Sequence, residues 1–247
     1  MKNEIVSVII PCYNSQKVIQ RSVDSALNQT YRDIEVWVID DGSTDDTINV
    51  LSNYEDKRLN IISLPENTGS PVTPRNTGIL KAKGKYVAFL DSDDYWAPNK
   101  LELQIGYMKI NSSYFSCTSY LVKDVDGFSH TRKVPPLCDF SDILLLNTIG
   151  CSTVVVENDL LSKYLFAHRR LEDYDLWLRI LQDGNDILGV DTCLTTYMKS
   201  DDSRSKFNLK QAMAYFNLFR RFGKRNPFQV LFHCTAYLIK RLVWAKL

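Results

Sequence analysis

Four short apolar runs recur in the first part of the chain, and this repeat restricts the possible folds more than any other feature. The runs read VSVII, IEVWVI, LNIISL and YVAFL, at residues 6–10, 34–39, 59–64 and 86–90. They begin roughly 25 to 30 residues apart, close to the length of one strand-helix-strand unit. Such a repeat predicts parallel strands joined by right-handed helical crossovers. The sequence therefore predicts the α/β class, with a Rossmann-like, mostly parallel sheet flanked by helices.

Helix patterns lie between the apolar runs. Ser15 is a candidate N-cap for a helix whose apolar residues recur at helical spacing, and Ser43 or Thr44 is a candidate for the next helix. The two prolines of the segment SPVTP predict the first turn of a third helix, which we expect to end at Gly84. Each predicted strand is thus followed by a helix, as parallel pairing requires.

The second half of the chain has a different pattern, without internal repeats or a low-complexity linker. Its predicted helices and strands are a helix at 100–110, strands at 114–124 and 151–157, and a helix within 171–184. We therefore predict one domain over residues 1–200, with halves at 1–98 and 99–200, and a separate amphipathic helical segment at 201–247.

The end of the chain carries an excess of positive charge. From Ser203 onwards there are ten Lys or Arg residues and no Asp or Glu. The first 202 residues therefore contain the other 20 of the 30 basic residues and all 29 acidic ones. The apolar stretch at 228–239 is too short to span a bilayer. We interpret the end of the chain as amphipathic helix lying on an anionic membrane surface, and a helix docked on the domain is the alternative. Nucleic acid is not an expected partner, because no recognition motif accompanies the charge.

Cysteine usage indicates the compartment. The six cysteines include no close pair and no CxxC motif, which favours reduced thiols. The apolar stretch at residues 5–11 has the length of a strand, not that of a signal peptide or a membrane span. Together with the basic end of the chain, this predicts a cytoplasmic protein that is peripheral on the inner face of the plasma membrane.

Three carboxylates, those of Asp91, Asp93 and Asp94, follow the fourth apolar run directly. Carboxylates this close repel one another unless a cation or hydrogen bonds offset the repulsion. Because Mg²⁺ and Mn²⁺ use one or two carboxylates together with water and phosphate oxygens, the group predicts a divalent metal held against a nucleotide diphosphate. An acidic turn that caps the next helix is the alternative. A calcium-binding EF-hand is excluded, because Tyr95 and Trp96 occupy the positions that need a ligand and a glycine.

Polar and aromatic residues also follow the first two runs. Asp40 and Asp41 precede Gly42, and one of the two carboxylates is a candidate to accept a hydrogen bond from a nucleobase. A strand-to-helix turn without a ligand is the alternative. Tyr13 follows the first run, where its ring is a candidate to stack on a base, and a partly buried core tyrosine is the alternative. Since ligands of open parallel sheets bind beyond the carboxyl ends of the strands, we expect these residues at one edge.

Five segments, in this order and spacing, resemble the inverting glycosyltransferases of family 2, which have the nucleotide-binding GT-A fold. The segments are SVIIPCYN, IDDGSTDDT, PRNTGI, GKYVAFLDSDD and EDYDLWLRI. The resemblance covers roughly residues 4–200. It implies a GT-A catalytic domain whose first half holds the nucleotide sugar and whose second half holds the acceptor.

The resemblance also implies roles in nucleotide binding. Pro11 and Tyr13 correspond to residues at the nucleotide, with Tyr13 packed on uracil, and Asp41 corresponds to the residue that hydrogen-bonds the base. Arg75 is a candidate to meet phosphate or ribose, although an arginine on the surface of the third helix is the preferred interpretation.

The acidic motif corresponds to the metal site of the family, which implies Mn²⁺ or Mg²⁺ as cofactor. Asp91 and Asp93 are expected beside the nucleotide, and Asp93 and Asp94 are the candidate metal ligands. Asp94 is preferred as the direct ligand, and the sequence leaves both Asp93 and Asp94 as candidates.

An inverting displacement needs a base on the far side of the sugar from the metal. The resemblance places it in LEDYDLWL, where Asp173 is the first candidate and Glu172 the second, because adjacent helix residues face about 100° apart. Asp175 is expected to be a surface or salt-bridging residue. An amphipathic helix with a polar face is the alternative.

Together these implications predict transfer of a sugar from a nucleotide donor, first of all a UDP-hexose, to a sugar hydroxyl on a polyprenyl-diphosphate-linked acceptor. The setting would be bacterial O-antigen, capsule or exopolysaccharide synthesis. A non-catalytic nucleotide-sugar-binding subunit of a membrane polysaccharide complex is the alternative. A sugar-phosphate nucleotidyltransferase is disfavoured because residues 1–41 contain no glycine, and redox enzymes and NTPases because GxGxxG and P-loop motifs are absent from the sequence.

Overall fold

The computed structural model describes residues 4–124, 126–199, 209–223 and 235. The first half of the chain alternates strands and helices as the sequence predicts. Its elements are β1 (Val6–Cys12), α1 (Ile19–Leu27), β2 (Ile34–Asp40), α2 (Thr47–Ser52), β3 (Leu59–Ser63), α3 (Val72–Lys81) and β4 (Tyr86–Phe89).

The second half contains shorter strands, two long ones and five helices among the described residues. In chain order its elements are β5 (Tyr95–Trp96), α4 (Lys100–Ile110), β6 (Phe115–Asp124), β7 (Ser129–Arg132), β8 (Leu137–Cys138), α5 (Phe140–Leu145), a 3-10 turn (Cys151–Thr153), β9 (Val155–Glu157), α6 (Asn158–Leu161), α7 (Glu172–Gln182), β10 (Ile187–Lys199) and α8 (Leu209–Phe222). The expected strand at 151–157 is therefore wrong in its first three residues, which form the 3-10 turn.

One sheet runs through the whole domain, in the order β3-β2-β1-β4-β9-β6-β10-β5, with β7 beside β6 and β8 beside β10. The strands β3, β2, β1 and β4 are all parallel. β9 is antiparallel to both of its neighbours, β4 and β6, whereas β10 is parallel to β6. The predicted α/β class, with its mostly parallel central sheet and flanking helices, is confirmed.

The sheet is buried on both faces, which explains why its central strands are continuously apolar. Alternate residues of β1 point to different cores: Ile9 packs in the core that contains Trp177 of α7, and Val8 in the core that contains Val23 of α1. Trp177 anchors the first of these cores, with its ring centroid 5.2 Å from that of Phe115. The helices on both faces therefore hold the sheet rigid, and its loops are left to carry polar residues.

The predicted N-caps of the first two helices are wrong. α1 begins at Ile19, three residues after the position that an N-cap at Ser15 predicts for the first helical residue. The Ser15 side chain does not cap the helix, and its carbonyl accepts the N–H of Ile19 at 2.9 Å. At the start of α2, Asp45 accepts the first N–H at 3.0 Å. The hydroxyls of Ser43 and Thr44 bond instead to side chains of loops at the same sheet edge. These residues are used to join loops, which a local capping pattern does not reveal.

α3 starts where the prolines predict, with Pro71 directly before its first residue. It ends at Lys81, so Gly84 does not terminate the helix as expected. Glycine is needed at this position for another reason: a Cβ atom on Gly84 would lie 2.4 Å from the backbone oxygen of Ile5. The close approach brings the chain back alongside β1 before β4 begins.

The described part of the basic end of the chain docks on the domain. Leu218, Phe219 and Phe222 of α8 are buried, and the ring of Phe222 lies 6.2 Å from that of Phe140 in α5. For residues 209–222 the docked-helix alternative is therefore correct. The membrane-surface prediction for 228–247 falls outside the described residues except for position 235. Within the described ranges, no helix combines the length and the apolar character needed to cross a bilayer.

The close approach at Gly84 gives a stability prediction. Gly84→Ala should lower the free energy of unfolding by about 1 to 3 kcal/mol, because the backbone of Ile5 must move to admit the methyl group. The matched control is Gly106→Ala in α4, where an added Cβ meets no atom within 4 Å. This control should be neutral or stabilising by up to about 1 kcal/mol, since alanine favours a helix interior. Denaturant titrations of both variants would contradict the account if they gave equal stabilities.

Candidate active site

The loops that follow the parallel strands meet at one edge of the sheet, as the sequence predicts. The backbone N–H of Asn14 donates to Oγ of Ser43 at 2.8 Å, which ties the loop after β1 to the loop after β2. The hydroxyls of Ser15 and Ser92 lie 3.1 Å apart and join the loop after β1 to the acidic motif after β4. Residues far apart in the chain are thus held together by direct hydrogen bonds.

The two aspartates at the end of β2 accept hydrogen bonds from different loops. Asp40 serves its own turn, where its carboxylate accepts the backbone N–H of Ser43 at 3.2 and 3.3 Å. Asp41 reaches across to the loop after β3 and accepts both the N–H of Thr68, at 3.1 Å, and its hydroxyl, at 2.8 Å. Thr68 was not singled out by the sequence. Both carboxylates are buried and hydrogen-bonded in this structure, and the role of Asp41 in base recognition stays a prediction.

The residues at the end of β1 differ in their accessibility. Pro11 is buried inside the strand, in register with Ile39 of β2. Tyr13 lies just beyond the strand, and 44% of it is exposed. The alternative of a partly buried core tyrosine does not describe this side chain. The ring of Tyr13 is free to stack on a planar group.

The third carboxylate of the acidic motif is a structural acid in this molecule. Asp94 is fully buried, its Oδ2 accepts the hydroxyl of Ser152 at 2.5 Å, and its Oδ1 accepts the N–H of Met198 at 3.0 Å. Burial, together with the charges of Asp91 and Asp93, raises the pKa of Asp94 well above its usual range. The side chain fastens the end of β4 to β10.

The other two carboxylates of the motif remain partly accessible. Burial, and then the charge of Asp91, raises the pKa of Asp93 to about 6, although Arg21 and Arg75 act in the opposite direction. The backbone carbonyl of Asp93 accepts a hydrogen bond from Arg21 at 2.5 Å. Burial is the larger of the two causes, so the shift marks a poorly hydrated carboxyl group, whose charged form a nearby cation would favour.

The donor set fits a divalent ion that shares its coordination with a ligand. Within residues 4–124, 126–199 and 209–223, no three His, Cys, Asp or Glu side chains form a metal-binding group. Mg²⁺ and Mn²⁺ do not need one, because they bind through one or two carboxylates together with substrate phosphates. The preference for Asp94 as direct ligand does not fit the geometry, since both of its oxygens already accept hydrogen bonds. Asp93, which is partly accessible, fits better.

Arg75 connects the acidic motif to the start of α7. Its Nη2 donates to Asp91 at 2.6 Å and its Nη1 to Glu172 at 3.1 Å, and the guanidinium lies 5.2 Å from the ring centroid of Phe166. The preferred interpretation of Arg75 as a surface residue is wrong, because only 4% of it is exposed. Burial opposes its charge, but the carboxylates of Asp91 and Glu172 outweigh this and hold the pKa of Arg75 well above its usual range.

The first turn of α7 presents the two candidate bases. Leu171 precedes the helix in the left-handed conformation, with φ of 61°. Glu172 is engaged by Arg75, whereas Asp173 accepts only the N–H of Tyr174, at 2.7 Å, from the part of the chain that the structure describes. Burial, and then the charge of Glu172, raises the pKa of Asp173 to about 6. Among the described residues Asp173 has no ion-pair partner, and a carboxylate with this pKa is suited to accept a proton near neutral pH.

Asp175, two residues further, belongs to the packing of the helix. It is 1% exposed and accepts a hydrogen bond from Arg179 at 3.0 Å, and Arg221 of α8 forms a second ion pair with it. The expected salt-bridging role is therefore correct, and the surface position is wrong. The spacing of Asp175 and Arg179, four residues apart on a helix, is the sequence signal for the first pair.

Ser152 is the residue that sequence reasoning missed most clearly. Its hydroxyl donates to Asp94 and accepts the N–H of Asp91 at 3.0 Å, and its carbonyl accepts the indole N–H of Trp96 at 2.7 Å. Ser152 thereby positions the acidic motif from the 3-10 turn before β9. A serine in an apolar, strand-like run carries no local signal of this role.

Comparisons with known proteins agree with the geometry. The family model described as glycosyl transferase family 2 matches residues 7–168. The UDP-Glc:alpha-D-GlcNAc-diphosphoundecaprenol beta-1,3-glucosyltransferase WfaP of Escherichia coli is 32% identical, over 96% of this chain and 99% of its own length. WfgD of Escherichia coli, which has the same descriptive name, is 32% identical over 97% and 94%.

Solved structures share the fold. The crystal structure of S. aureus TarS 1-349 in complex with UDP-GlcNAc superimposes with a TM-score of 0.73 at 26% identity, and the match covers 88% of this chain and 65% of that one. The mannosyltransferase PcManGT from Pyrobaculum calidifontis, in complex with GDP-Man and Mn²⁺, has a TM-score of 0.65 at 22% identity and supports the fold alone. The GT-A architecture expected from the sequence is confirmed.

The environment of Asp173 predicts an unusual stability effect. Because its pKa is raised from 3.8 to about 6 in the folded protein, ionisation of Asp173 costs stability as the pH rises through this window. Asp173→Asn keeps the acceptor for the N–H of Tyr174 and removes the charge. The variant should therefore be more stable than the wild type at pH 8, on the order of 1 to 2 kcal/mol, and the difference should vanish below pH 4.

Asp175→Asn is the matched control for this comparison. It removes a charge from the same helix, but it breaks the ion pairs with Arg179 and Arg221 and should destabilise the protein at pH 8. Thermal unfolding of the wild type and both variants at pH 4 and pH 8 tests the opposite signs. If Asp173→Asn were no more stable than the wild type at pH 8, the assigned environment would be wrong.

Proposed function

Because this chain belongs to glycosyl transferase family 2, we propose that it is an inverting, metal-dependent glycosyltransferase of bacterial surface-polysaccharide synthesis. Its donor is a nucleotide sugar, in the first place a UDP-hexose, and its acceptor is a sugar hydroxyl on a polyprenyl-diphosphate-linked saccharide. Two relatives that align with nearly the whole chain have names that specify UDP-glucose and a diphosphoundecaprenol-linked GlcNAc acceptor, which supports both choices.

The observation that carries the proposal is the buried bridge made by Arg75. One guanidinium bonds both to Asp91 of the acidic motif and to Glu172, the neighbour of Asp173. The proposed donor site and the proposed base therefore lie within the reach of a single side chain. A displacement reaction needs this proximity, because the nucleophile must be activated on one side of the sugar while the leaving group departs on the other.

Asp173 acts as the general base in this proposal. It takes the proton of the acceptor hydroxyl while that oxygen forms a bond to the anomeric carbon of the donor sugar. The bond from the anomeric carbon to the phosphate oxygen breaks, and its electron pair leaves with the nucleoside diphosphate. Attack from the face opposite the leaving group inverts the anomeric centre. A positioned base contributes about 10² to 10⁴ in rate.

The remaining residues hold the nucleotide. Tyr13 stacks on the base, and Asp41 accepts a hydrogen bond from it. Asp91 and Asp93 face the ribose and the diphosphate, and Asp93 is the proposed ligand of Mn²⁺ or Mg²⁺. The ion, when bound, neutralises the charge that develops on the departing diphosphate.

Contact with the cytoplasmic face of the membrane completes the proposal. Lipid-linked acceptors remain at the bilayer, so the enzyme must reach its surface. Met213 and Phe216 of α8 are 59% and 49% exposed, and Arg220 is exposed close to them on the helix. Such a mixture of apolar and cationic side chains suits the interface of an anionic membrane.

Activity of single variants tests the proposed roles. Transfer from UDP-sugars to the acceptor should require Mn²⁺ or Mg²⁺ and stop with EDTA. Asp93→Asn should abolish transfer and weaken Mn²⁺ binding measured by calorimetry, and Asp173→Asn should lower kcat by about 10² to 10⁴ with Mn²⁺ binding intact. Asp191→Asn, an exposed carboxylate on β10, is the control and should be neutral. Unchanged activity of the membrane polysaccharide complex after both Asp173→Asn and Glu172→Gln would favour the non-catalytic subunit.

The pKa of Asp173 also predicts the pH dependence of the reaction. A general base acts only when it is deprotonated, so kcat should rise with pH through about 6 and level off above it. The alternative candidate can be tested in the same way. If Glu172→Gln lost this pH dependence while Asp173→Asn kept it, the base would be Glu172.

A further inference from the structure

A cationic cleft lies beside the candidate active site, between α8 and the segment that leads into α7. Its volume is about 380 Å³. Its lining includes four basic side chains and one carboxylate, those of Arg169, Arg170, Lys210, Arg221 and Asp175. The proposed function assigns no role to this cleft.

The charges of the cleft are only partly compensated. Arg221 forms an ion pair with Asp175, and Arg170 donates to the side chain of Gln211 at 3.4 Å. Arg169 and Lys210 are exposed and have no ion-pair partner in the described ranges. Because positive charge is concentrated in a concave site, a group with two or more negative charges is the ligand that this lining recognises.

Apolar side chains of α8 also line the cleft. They are those of Met213, Ala214 and Leu218. The exposed face of α8 continues the apolar surface with Phe216, which is 49% exposed. A free phosphate would leave these apolar side chains without a contact. An anion attached to a hydrocarbon chain would contact both the basic and the apolar side chains of the cleft.

The cleft and the proposed base are neighbours in the chain. Asp173 is three positions after Arg170 in the chain, so their Cα atoms are at most about 11 Å apart. Leu171 lies between them in the left-handed conformation, which turns the chain from the cleft into α7. A lipid-linked saccharide carries its diphosphate directly on the sugar next to the lipid. The short distance from Asp173 to Arg170 would let the diphosphate of a sugar bound at Asp173 reach the cleft.

We propose that this cleft binds the diphosphate of the lipid-linked acceptor, with Arg169 and Lys210 as its principal contacts and α8 guiding the first part of the hydrocarbon chain. The inference rests on the proposed function and makes it more specific. It assigns recognition of the acceptor to a helix outside the sheet, and it explains why α8 is fastened to α7.

The test uses the full chain and a pair of matched variants. The double variant Arg169→Gln with Lys210→Gln removes two charges from the cleft without breaking an ion pair of the described residues. The control is Lys163→Gln, an exposed cation between α6 and α7 that does not line the cleft. Kinetics compare an acceptor that carries a lipid diphosphate with the same sugar as an uncharged alkyl glycoside. The expected result for the double variant is a rise of about tenfold in the ratio of the two KM values, and the control keeps the wild-type ratio.

Two further measurements separate the possible sources of the effect. Inorganic pyrophosphate in EDTA should bind more weakly to the double variant than to the wild type and Lys163→Gln, as measured by calorimetry. Co-sedimentation with anionic phospholipid vesicles should be the same for the double variant, Lys163→Gln and the wild type. If the vesicle binding of the double variant fell while the KM ratio stayed constant, the cleft would be a phospholipid site and the proposal would be overturned.

The inference and the proposed function can fail separately. An unchanged KM ratio together with unchanged pyrophosphate binding would overturn the inference, even if the enzyme transferred sugar normally. If the wild type transferred sugar to neither acceptor, the proposed function would fail. Pyrophosphate binding would then still decide whether the cleft takes a diphosphate.

Discussion

The contact on which the site depends is the buried cation of Arg75 between two carboxylates. Without it, Asp91 and Glu172 would face each other in a poorly hydrated space, where like charges repel strongly. The guanidinium offsets both charges, packs against Phe166, and joins the end of β4 to the start of α7. Its Nε has no hydrogen-bond partner within the described ranges. The position of α7 relative to the sheet is therefore set by an electrostatic contact as well as by apolar packing.

Around this contact, the carboxylates divide into structural and chemical groups. Asp94 and Asp175 are buried. Asp94 accepts hydrogen bonds from Ser152 and Met198. Asp175 pairs with Arg179 on its own helix and with Arg221 of α8. Asp93 and Asp173 keep partial exposure and have pKa values of about 6. In each motif a fully engaged carboxylate fixes the backbone, while a neighbour one or two residues away stays partly exposed. One carboxylate of each acidic motif, Asp94 or Asp175, therefore holds the backbone of that motif in place.

The periodicity of the apolar runs was sufficient to predict the strands β1 to β4, because a strand buried on both faces needs such a run wherever it lies. The gathering of the polar loops at one edge followed from the parallel order alone. The burial of Arg75 did not, because it depends on which face of α3 meets α7, a contact between residues 97 positions apart. The roles of Ser152 and Thr68 were hidden for the same reason. Local patterns indicate elements and their polar ends, whereas partners across the fold are set by tertiary packing.

The ion pair between Asp175 and Arg221 bears on how such enzymes can diverge. Asp175 belongs to α7 and Arg221 to α8, and the carboxylate is almost completely buried. A chain that exchanged α8 for a helix from a relative without an arginine at this position would leave a buried charge with Arg179 as its remaining partner. Recombination between β10 and α8 is therefore restricted, and α7 and α8 are inherited as one unit.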